Sequence, residues 1–336
     1  MKRLLTGKNR ITALYTLGGA LIFFSLIFGF LTGSTSLSLK ELFSAIFGSD
    51  RDSLEARIFW YVRFPRTLAS LVAGGALALS GAILQKVLSN KLASPSIIGV
   101  NSGAGLFVII ASALGIFGGW RLSLFAFLGG ALAVLLVTLL SRRFSVSRGG
   151  VILMGVALNA FFGAISDAVI SLSPNAAISN GDFKIGDFSS VSYEKLIPAS
   201  IIIFVGFVTL LFLSNELDVL SLGDDSAKGL GLNAALFRTV FLLLAALLAG
   251  SAVSIAGLLS FVGLLVPHAV RKLSGNTTHT LPLSFIFGAG FVSLSDTLSR
   301  LVFAPYEIPV GIIMAFIGAP AFVLILIKGK GGHGND

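Results

Sequence analysis

The sequence predicts an all-α, polytopic membrane protein with ten transmembrane helices and both termini in the cytoplasm. Three observations lead there. Of its 336 residues 55% are hydrophobic and only 12% are charged, with a mean hydropathy of +0.96; water-soluble folds carry about 25% charged residues, so the polar surface such a fold needs is missing. Apolar runs long enough to cross hydrocarbon, about 20 residues each, recur along the whole chain. The basic residues cluster in the connections between alternate runs, which is the charge signature of cytoplasmic loops.

The runs are Ile11–Leu31, Thr67–Gln85, Leu92–Leu114, Leu122–Ser141, Gly150–Ile170, Leu196–Ser214, Leu236–Ala256, Gly257–Val270, Pro282–Phe303 and Ile308–Ile327. The first follows MKRLLTGKNR, which resembles the charged start of a secretory signal. Its apolar run is too long for a signal core and is read as a retained span. The stretch Thr239–Val270 contains no Asp, Glu, Lys or Arg and is too long for one span. Basic residues flank both of its ends, Lys228 and Arg238 before and Arg271 and Lys272 after. An even number of passes puts both flanks on one side, so the stretch is split at Gly257 into a long and a short helix.

With the N-terminus inside, 15 of the 24 Lys and Arg residues fall in the cytoplasm but only five of the 15 acids do. This organises the chain as one transmembrane domain, 1–336, with a cytoplasmic N-terminus at 1–10 and a cytoplasmic tail at 328–336. Residues 32–62 form an external loop whose SLSLKELFSAIFG reads as a short interfacial helix. A second external loop covers 171–195, and a polar cytoplasmic segment covers 215–235. No soluble domain fits between the runs.

Other function classes fail on composition. The net charge of +9 sits in small clusters without a basic stripe or an aromatic platform, which excludes nucleic-acid binding. There is no cysteine, hence no disulfide, no iron–sulfur ligation and no lipid-anchor cysteine. The three histidines, His268, His279 and His333, have no neighbouring acidic ligands, so no metal site is expected. His268, after Pro267, shapes a helix end. No Ser-His-Asp or paired-carboxylate arrangement is visible, so no catalytic residue is expected. No G-x-x-x-x-G-K-[ST] occurs, so the chain has no Walker A loop to cradle ATP phosphates.

The motifs that remain lie where spans meet. In RFPRTLASLVAGGALALSGAILQKVLSNKLASPSIIGVNSGAG, Gly74, Ala78 and Ala82 recur every fourth residue, and Gly99 and Gly103 form a GxxxG pair. Small faces let helix backbones approach closely in lipid. Together with Gln85, the residues Asn90, Pro95, Gly99 and Asn101 place breakers and amides at the inner face, where irregular backbone survives only if protein or a water-filled cavity satisfies it. Asp296 and Arg300 stand four apart and can pair on one helix face; charged residues inside a span are functional candidates, unless they merely neutralise each other near its end. Asp167 is weighed the same way. Finally LSLGDDSAKGLGLN offers a short helix, with Gly223 before it, Asp224 and Asp225 in its first turn, and Gly231 and Asn233 ending it. A plain connector needs no such helix, whereas an exposed one suits docking into a partner's groove.

Taken in order, RFPRTLASLVAGGALALSGAILQ, NKLASPSIIGVNSGAG, LGDDSAKGLGLN, GLLSFVGLLVPHAVR, SDTLSR and EIPVGIIMAFIGAPAF closely resemble the permease subunits of FecCD-type, or type II, ABC importers for iron–siderophores, haem and cobalamin. The resemblance runs collinearly from about residue 34 to residue 328. It implies a single permease domain in the bacterial cytoplasmic membrane, acting with a second permease chain (identical or paralogous), two cytoplasmic ATPases and an extracytoplasmic substrate-binding protein. ATP and magnesium would then be held by the ATPase, with no cofactor on this chain. Gly223, Asp224, Asp225, Ala227, Leu230 and Gly231 match the family's ATPase-coupling helices. Arg63, from R-x-P-R, and Arg300, from D-x-x-x-R, match positions that pair with acidic residues of a docked binding protein. Ser145, Val146 and Ser147 match the cytoplasmic gate, with valine where close relatives can carry a hydroxyl. Two further departures are Asn90-Lys91-Leu92-Ala93 for N-P-L-A and Thr278-His279-Thr280 for D-H-R. The expected cargo is an iron chelate, most plausibly a ferric siderophore, with haem or cobalamin as alternatives. Two other classes, an ion-coupled carrier and an intramembrane enzyme, lack the midplane ionisable groups or buried nucleophile they require.

Overall fold

The computed structural model describes residues 7–33, 35, 37–48, 51–116, 119–144, 148–173, 183–275 and 279–330. The described residues are helical throughout their regular parts and include no strand. In chain order the helices are α1 (Gly7–Leu31), α2 (Leu39–Phe47), α3 (Leu54–Arg57), a π-helical stretch (Ile58–Arg63), α4 (Phe64–Val87), α5 (Val100–Ala113), α6 (Gly119–Arg143), α7 (Arg148–Leu172), α8 (Tyr193–Phe212), α9 (Ser214–Ser221), α10 (Asp224–Gly229), α11 (Ala234–Ala256), α12 (Val262–Ser274), α13 (Thr280–Leu301) and α14 (Val310–Lys330). Among the described residues seven helical stretches are long and apolar enough to cross a membrane: Asn9–Leu31, Leu54–Val87, Trp120–Leu140, Gly150–Leu172, Tyr193–Phe212, Ala234–Ala256 and Thr280–Leu301. The other three apolar runs hold shorter helices: the apolar α5 and Val310–Leu324 of α14, and α12, whose last turn holds Arg271 and Lys272. The chain is a polytopic membrane protein.

The bundle is organised around α4. In the span Leu54–Val87, 89% of the most apolar window is buried, against 22% for α1 and for α7, which lie at the periphery. Burial this complete depends on small residues, because apolar side chains gain nothing over lipid tails and association rests on close backbone packing. A Cβ on Gly81 would lie 1.9 Å from the Gly263 carbonyl oxygen, and one on Gly74 would lie 2.4 Å from that of Gly288. The crossings with α12 and α13 are therefore backbone against backbone. The same rule seats α5 on α6, where Gly103 and Gly129 face each other.

Two expectations about boundaries change. The second span begins well before Thr67, because α3, the π-helical stretch and α4 run on as one helix from Leu54. Pro65 explains the π stretch: it has no N–H to donate, and the wider turn lets the Phe64 N–H reach the Phe59 carbonyl instead. The third run is helical only from Val100, leaving 88–99 as consecutive turns. The break at Gly257 falls where the charge argument placed it, with φ +67 at Gly257 and α12 resuming at Val262. The helix read in SLSLKELFSAIFG is α2, held by a Ser38–Glu41 capping box.

Candidate functional site

Polar residues collect at the two ends of the bundle and at the helix breaks between them. At one end lies the segment 214–233. α9 continues from α8 and buries Leu217 and Leu220, while Asp218 pairs with Lys86 at 2.5 Å, tying the segment to the end of α4. Gly223, at φ +113, turns the chain into α10, a backbone conformation only glycine adopts freely. Asp224 and Asp225 occupy the first turn, favourable against the helix dipole, and Asp224 also pairs with Arg238 of α11. Ala227 is fully buried and Leu230 is 66% exposed. Gly231, at φ +82, ends the helix, with the Leu232 N–H returning to the Ala227 carbonyl at 2.9 Å. Asn233, expected to end α10, instead caps α11 by accepting from the Leu236 N–H at 3.1 Å. Leu222, also 66% exposed, was not singled out in the sequence. Leu222 and Leu230 stand at the two ends of the short helix as exposed apolar side chains.

The middle is built from two breaks that face each other, 88–99 and 257–261. Gln85 donates to the Gly263 carbonyl at 3.1 Å and accepts from Arg271. Asn90 accepts from the Leu92 N–H at 2.8 Å. Asn101 donates to Ser96 Oγ at 3.0 Å and to the Leu259 carbonyl at 3.4 Å, joining one break to the other. Pro95 packs where a Cβ on Gly263 would meet its Cδ at 3.0 Å. Asn159 of α7 was missed in the sequence, where it is one amide in a long apolar run. It donates to the Ser96 carbonyl at 2.7 Å and accepts from Ser102 at 2.5 Å, so it satisfies backbone that the break leaves unpaired. Gly99 and Gly103 do not act as a packing pair. Gly99 precedes α5 at φ +92 and serves the turn, while Gly103 alone makes the crossing. Gly74 and Ala78 meet Gly288 of α13, as small-face residues should.

The opposite end is a cluster of buried charges. Asp296 is fully buried; it accepts from Arg66 at 3.0 and 3.1 Å and pairs with Arg300 at 3.0 Å. Arg66 also reaches Glu307 at 2.6 Å and lies 3.9 Å from Asp187. Arg300 donates to the carbonyls of Gly29 and Thr32 at 3.2 and 2.9 Å. Arg63 donates to those of Phe30 and Leu31, each at 2.7 Å, and to that of Thr35. Both arginines match external positions that pair with acidic residues of a docked binding protein. In this chain alone they are 3% (Arg63) and 2% (Arg300) exposed, because the end of α1 supplies the acceptors a guanidinium needs once it leaves water. Arg66, the second arginine of the same R-x-P-R, carries the link between α4 and α13, and its partner Asp296 stands 230 positions away, beyond any local pattern.

The remaining expected residues are quickly placed. Ser145, Val146 and Ser147 lie outside the described residues. Asp167 pairs with Lys184 at 2.7 Å on an exposed surface, an arrangement worth little in stability. Among the described residues no group of three or more His, Cys, Asp or Glu side chains could hold a metal ion.

A multi-helix fold with backbone-close crossings and paired helix breaks defines a polytopic membrane protein whose irregular backbone is satisfied inside the bundle. The profile of the FecCD transport family matches residues 21–328, and the chain belongs to that family. It is 34% identical to the uncharacterised ABC transporter permease protein YvrB of Bacillus subtilis (strain 168), over 96% of this chain and 95% of that one. It is 35% identical to the Fe(3+)-citrate import system permease protein YfmD of the same organism, over 89% of each chain. With the vitamin B12 import system permease protein BtuC of Salmonella typhi it shares 37% identity over 82% of this chain and 86% of that one. A solved structure described as an inward-facing conformation of a metal-chelate type ABC transporter superposes with a TM-score of 0.82 at 31% identity, covering 94% of this chain and 99% of its own.

Proposed function

We propose that this chain is the membrane subunit of an ATP-driven importer of an iron chelate of the ferric siderophore class, coupled to a separate ATPase through the α9–α10 segment. One observation carries the reading. α10 is a six-residue helix flanked by the exposed Leu222 and Leu230, and the segment below it is braced by Asp218–Lys86 onto α4, the most buried helix of the bundle. A push on such a knob reaches the centre of the fold through one ion pair and one packed surface. The membrane is crossed ten times in this proposal, with both termini and α10 in the cytoplasm. All ten apolar runs contain a helix, and α1 begins at the end of the bundle that holds α9 and α10, since Arg10 reaches the Lys272 carbonyl, the adjacent Arg271 reaches Gln85 of α4, and the next residue, Lys86, pairs with Asp218 of α9.

In this reading two permease chains enclose the pathway, and an extracytoplasmic binding protein delivers cargo at the Arg66 end. Two ATPases carry ATP and magnesium, and the membrane is the bacterial cytoplasmic one. Access alternates as a rigid-body change between two states rather than through chemistry on the cargo. Relatives named for iron citrate, hydroxamate and enterobactin support iron chelates as the cargo class. The identity with B12 permeases keeps cobalamin as the second reading.

The test is transport in vesicles that contain the reconstituted permease, ATPase and binding protein. Leu230→Asp places a charge in the middle of the docking surface. It should lower ATP-dependent uptake about ten-fold, while the purified permease keeps its helix content and melting temperature. Undiminished uptake by that variant, or uptake by vesicles lacking the ATPase, overturns the coupling role. Competition among ferric citrate, a ferric hydroxamate and cobalamin then assigns the cargo.

A further inference from the structure

Between α1, α12, α13 and α14 lies a cleft of about 360 Å³ whose lining residues are all apolar. Leu21 of α1, Phe291 of α13 and Ile317 of α14 form three of its walls, and Ala269 and Leu273 of α12 carry it toward the α10 end of the bundle. Water gains nothing there, because it needs polar partners that the walls do not offer. An empty space of this size forfeits the dispersion contacts of every atom that borders it. The fitting occupant is a flexible hydrocarbon chain.

What the chain is attached to follows from the charges at the same end. Arg10 of α1 donates to the Lys272 carbonyl at 3.2 Å, so its guanidinium sits at the C-terminus of α12, one residue from Leu273 of the cleft. Arg10 and Lys272 are exposed, and Arg271 beside them is partly so. A guanidinium has five N–H donors and an ammonium three, more than one carbonyl consumes. No Asp or Glu occurs in residues 1–40 or between Asp225 and Asp296, so α1, α12 and the first half of α13 supply no carboxylate to offset these cations. Basic pockets between transmembrane helices at the cytoplasmic surface attract anionic lipid headgroups.

We infer that the cleft is a binding site for one anionic phospholipid, its acyl chain against Ala269 and Phe291 and its phosphate at Arg10 and Lys272. The site assumes the cytoplasmic placement of this end but not the coupling role of α10, so the two readings fail separately. A lipid wedged between α1, α12, α13 and α14 would tie the peripheral helices to the central ones, which makes the lipid a structural ligand of the permease.

The experiment reads lipid retained by the full-length protein. Purified permease is equilibrated with mixed nanodiscs of phosphatidylglycerol and phosphatidylcholine, extracted in mild detergent, and its bound lipid is counted by native mass spectrometry. Wild type should retain phosphatidylglycerol preferentially. Arg10→Ala with Lys272→Ala, both exposed and safe for folding, should lose that preference by on the order of twenty-five-fold, about five-fold per charge removed. Ala269→Trp, which fills the cleft, should lower retention of either lipid with the charges intact, and glycerophosphoglycerol, a headgroup without chains, should not compete. Equal retention of both lipids by wild type overturns the proposal, as does an unchanged preference in the double variant. A second copy of the chain is the alternative occupant. Because the protein has no cysteine, Ala269→Cys provides a unique thiol, and efficient disulfide dimerisation through it in the membrane would also overturn the proposal.

Discussion

The two ends of the bundle hold their charges in different ways. At the Arg66 end the acid Asp296 is fully buried between Arg66 and Arg300, which are 5% and 2% exposed, and the group also draws in Glu307 and the terminal carbonyls of α1. At the α10 end the charges come as separate pairs, and their acids are open to solvent: Asp218 is 37% exposed and Asp224 is 40% exposed. A buried network cannot lose one member without stranding the others, so it behaves as a clamp. Half-exposed pairs can exchange partners with water at small cost, so they suit a segment that must shift. One end fixes the helices and the other lets them be moved.

The clamp is the place to break that contrast. Asp296→Ala leaves two buried guanidinium groups without their shared anion, and breaking a buried pair in this way costs about 3–5 kcal/mol. The expected result is a large drop in melting temperature in detergent, or failure to recover monodisperse protein. Asp296→Asn keeps the shape and one acceptor oxygen but turns the other into a donor facing a guanidinium, so it should fall between Asp296→Ala and wild type. Wild-type stability in Asp296→Ala would mean that the cluster is not a clamp.

At the other end the same operation should do far less. Lys86→Met and Asp218→Asn, made singly and together, form a cycle whose coupling energy we expect at about 1 kcal/mol, because one partner is partly solvated. Lys86 itself is 7% exposed, so removing Asp218 alone should cost more than removing both partners. ATP-dependent uptake by the double variant measures the functional side of the contrast: it should fall while stability holds. A coupling energy as large as that of the Asp296 cluster would erase the distinction between the two ends.

How much of this was legible in the sequence differs between the same two regions. The α10 segment was readable because its determinants are local: glycines at the turns, acids in the first turn and a composition unlike its surroundings. Even there the sequence assigned Asn233 to the wrong helix, since an Asn between two short helices can cap either. Gly231 also changes meaning. With φ +82 and open space around its Cβ position, a substitution would strain the turn rather than fill a groove, which makes Leu230 the sharper probe. The clamp was only half legible. Asp296 and Arg300 show their pairing by spacing, but Arg66 is joined to them by packing across 230 residues, and the burial of Arg63 depends on carbonyls that any sequence would provide. The helix breaks were legible as breakers and amides, whereas Asn159, their partner from α7, gave no local sign.

A last, smaller prediction concerns α2, which lies beside the clamp on the same end of α1 but is exposed. Glu41 accepts from the Ser38 N–H at 2.8 Å, while the Glu41 N–H donates to Ser38 Oγ at 3.3 Å. The backbone hydrogen bond, and then the Ser38 side chain, favour the charged carboxylate and lower its pKa below the ordinary glutamate value. Its contribution to α2 is therefore fully present above that ordinary value and is lost as the pH falls through the lowered one. Trp60 reports the event, because its indole donates to the Ala45 carbonyl within α2 at 3.2 Å. In a Trp120→Phe background, which leaves Trp60 as the single tryptophan, emission should shift on acidification to about pH 3. Glu41→Gln keeps a capping box without a titrating group, so its emission should stay flat over the same range. An equal shift in both proteins would place the acid-sensitive group elsewhere, and an absent shift in wild type would mean that α2 holds its place through Ala45, Trp60 and Phe59 alone, as firmly as the clamp beside it.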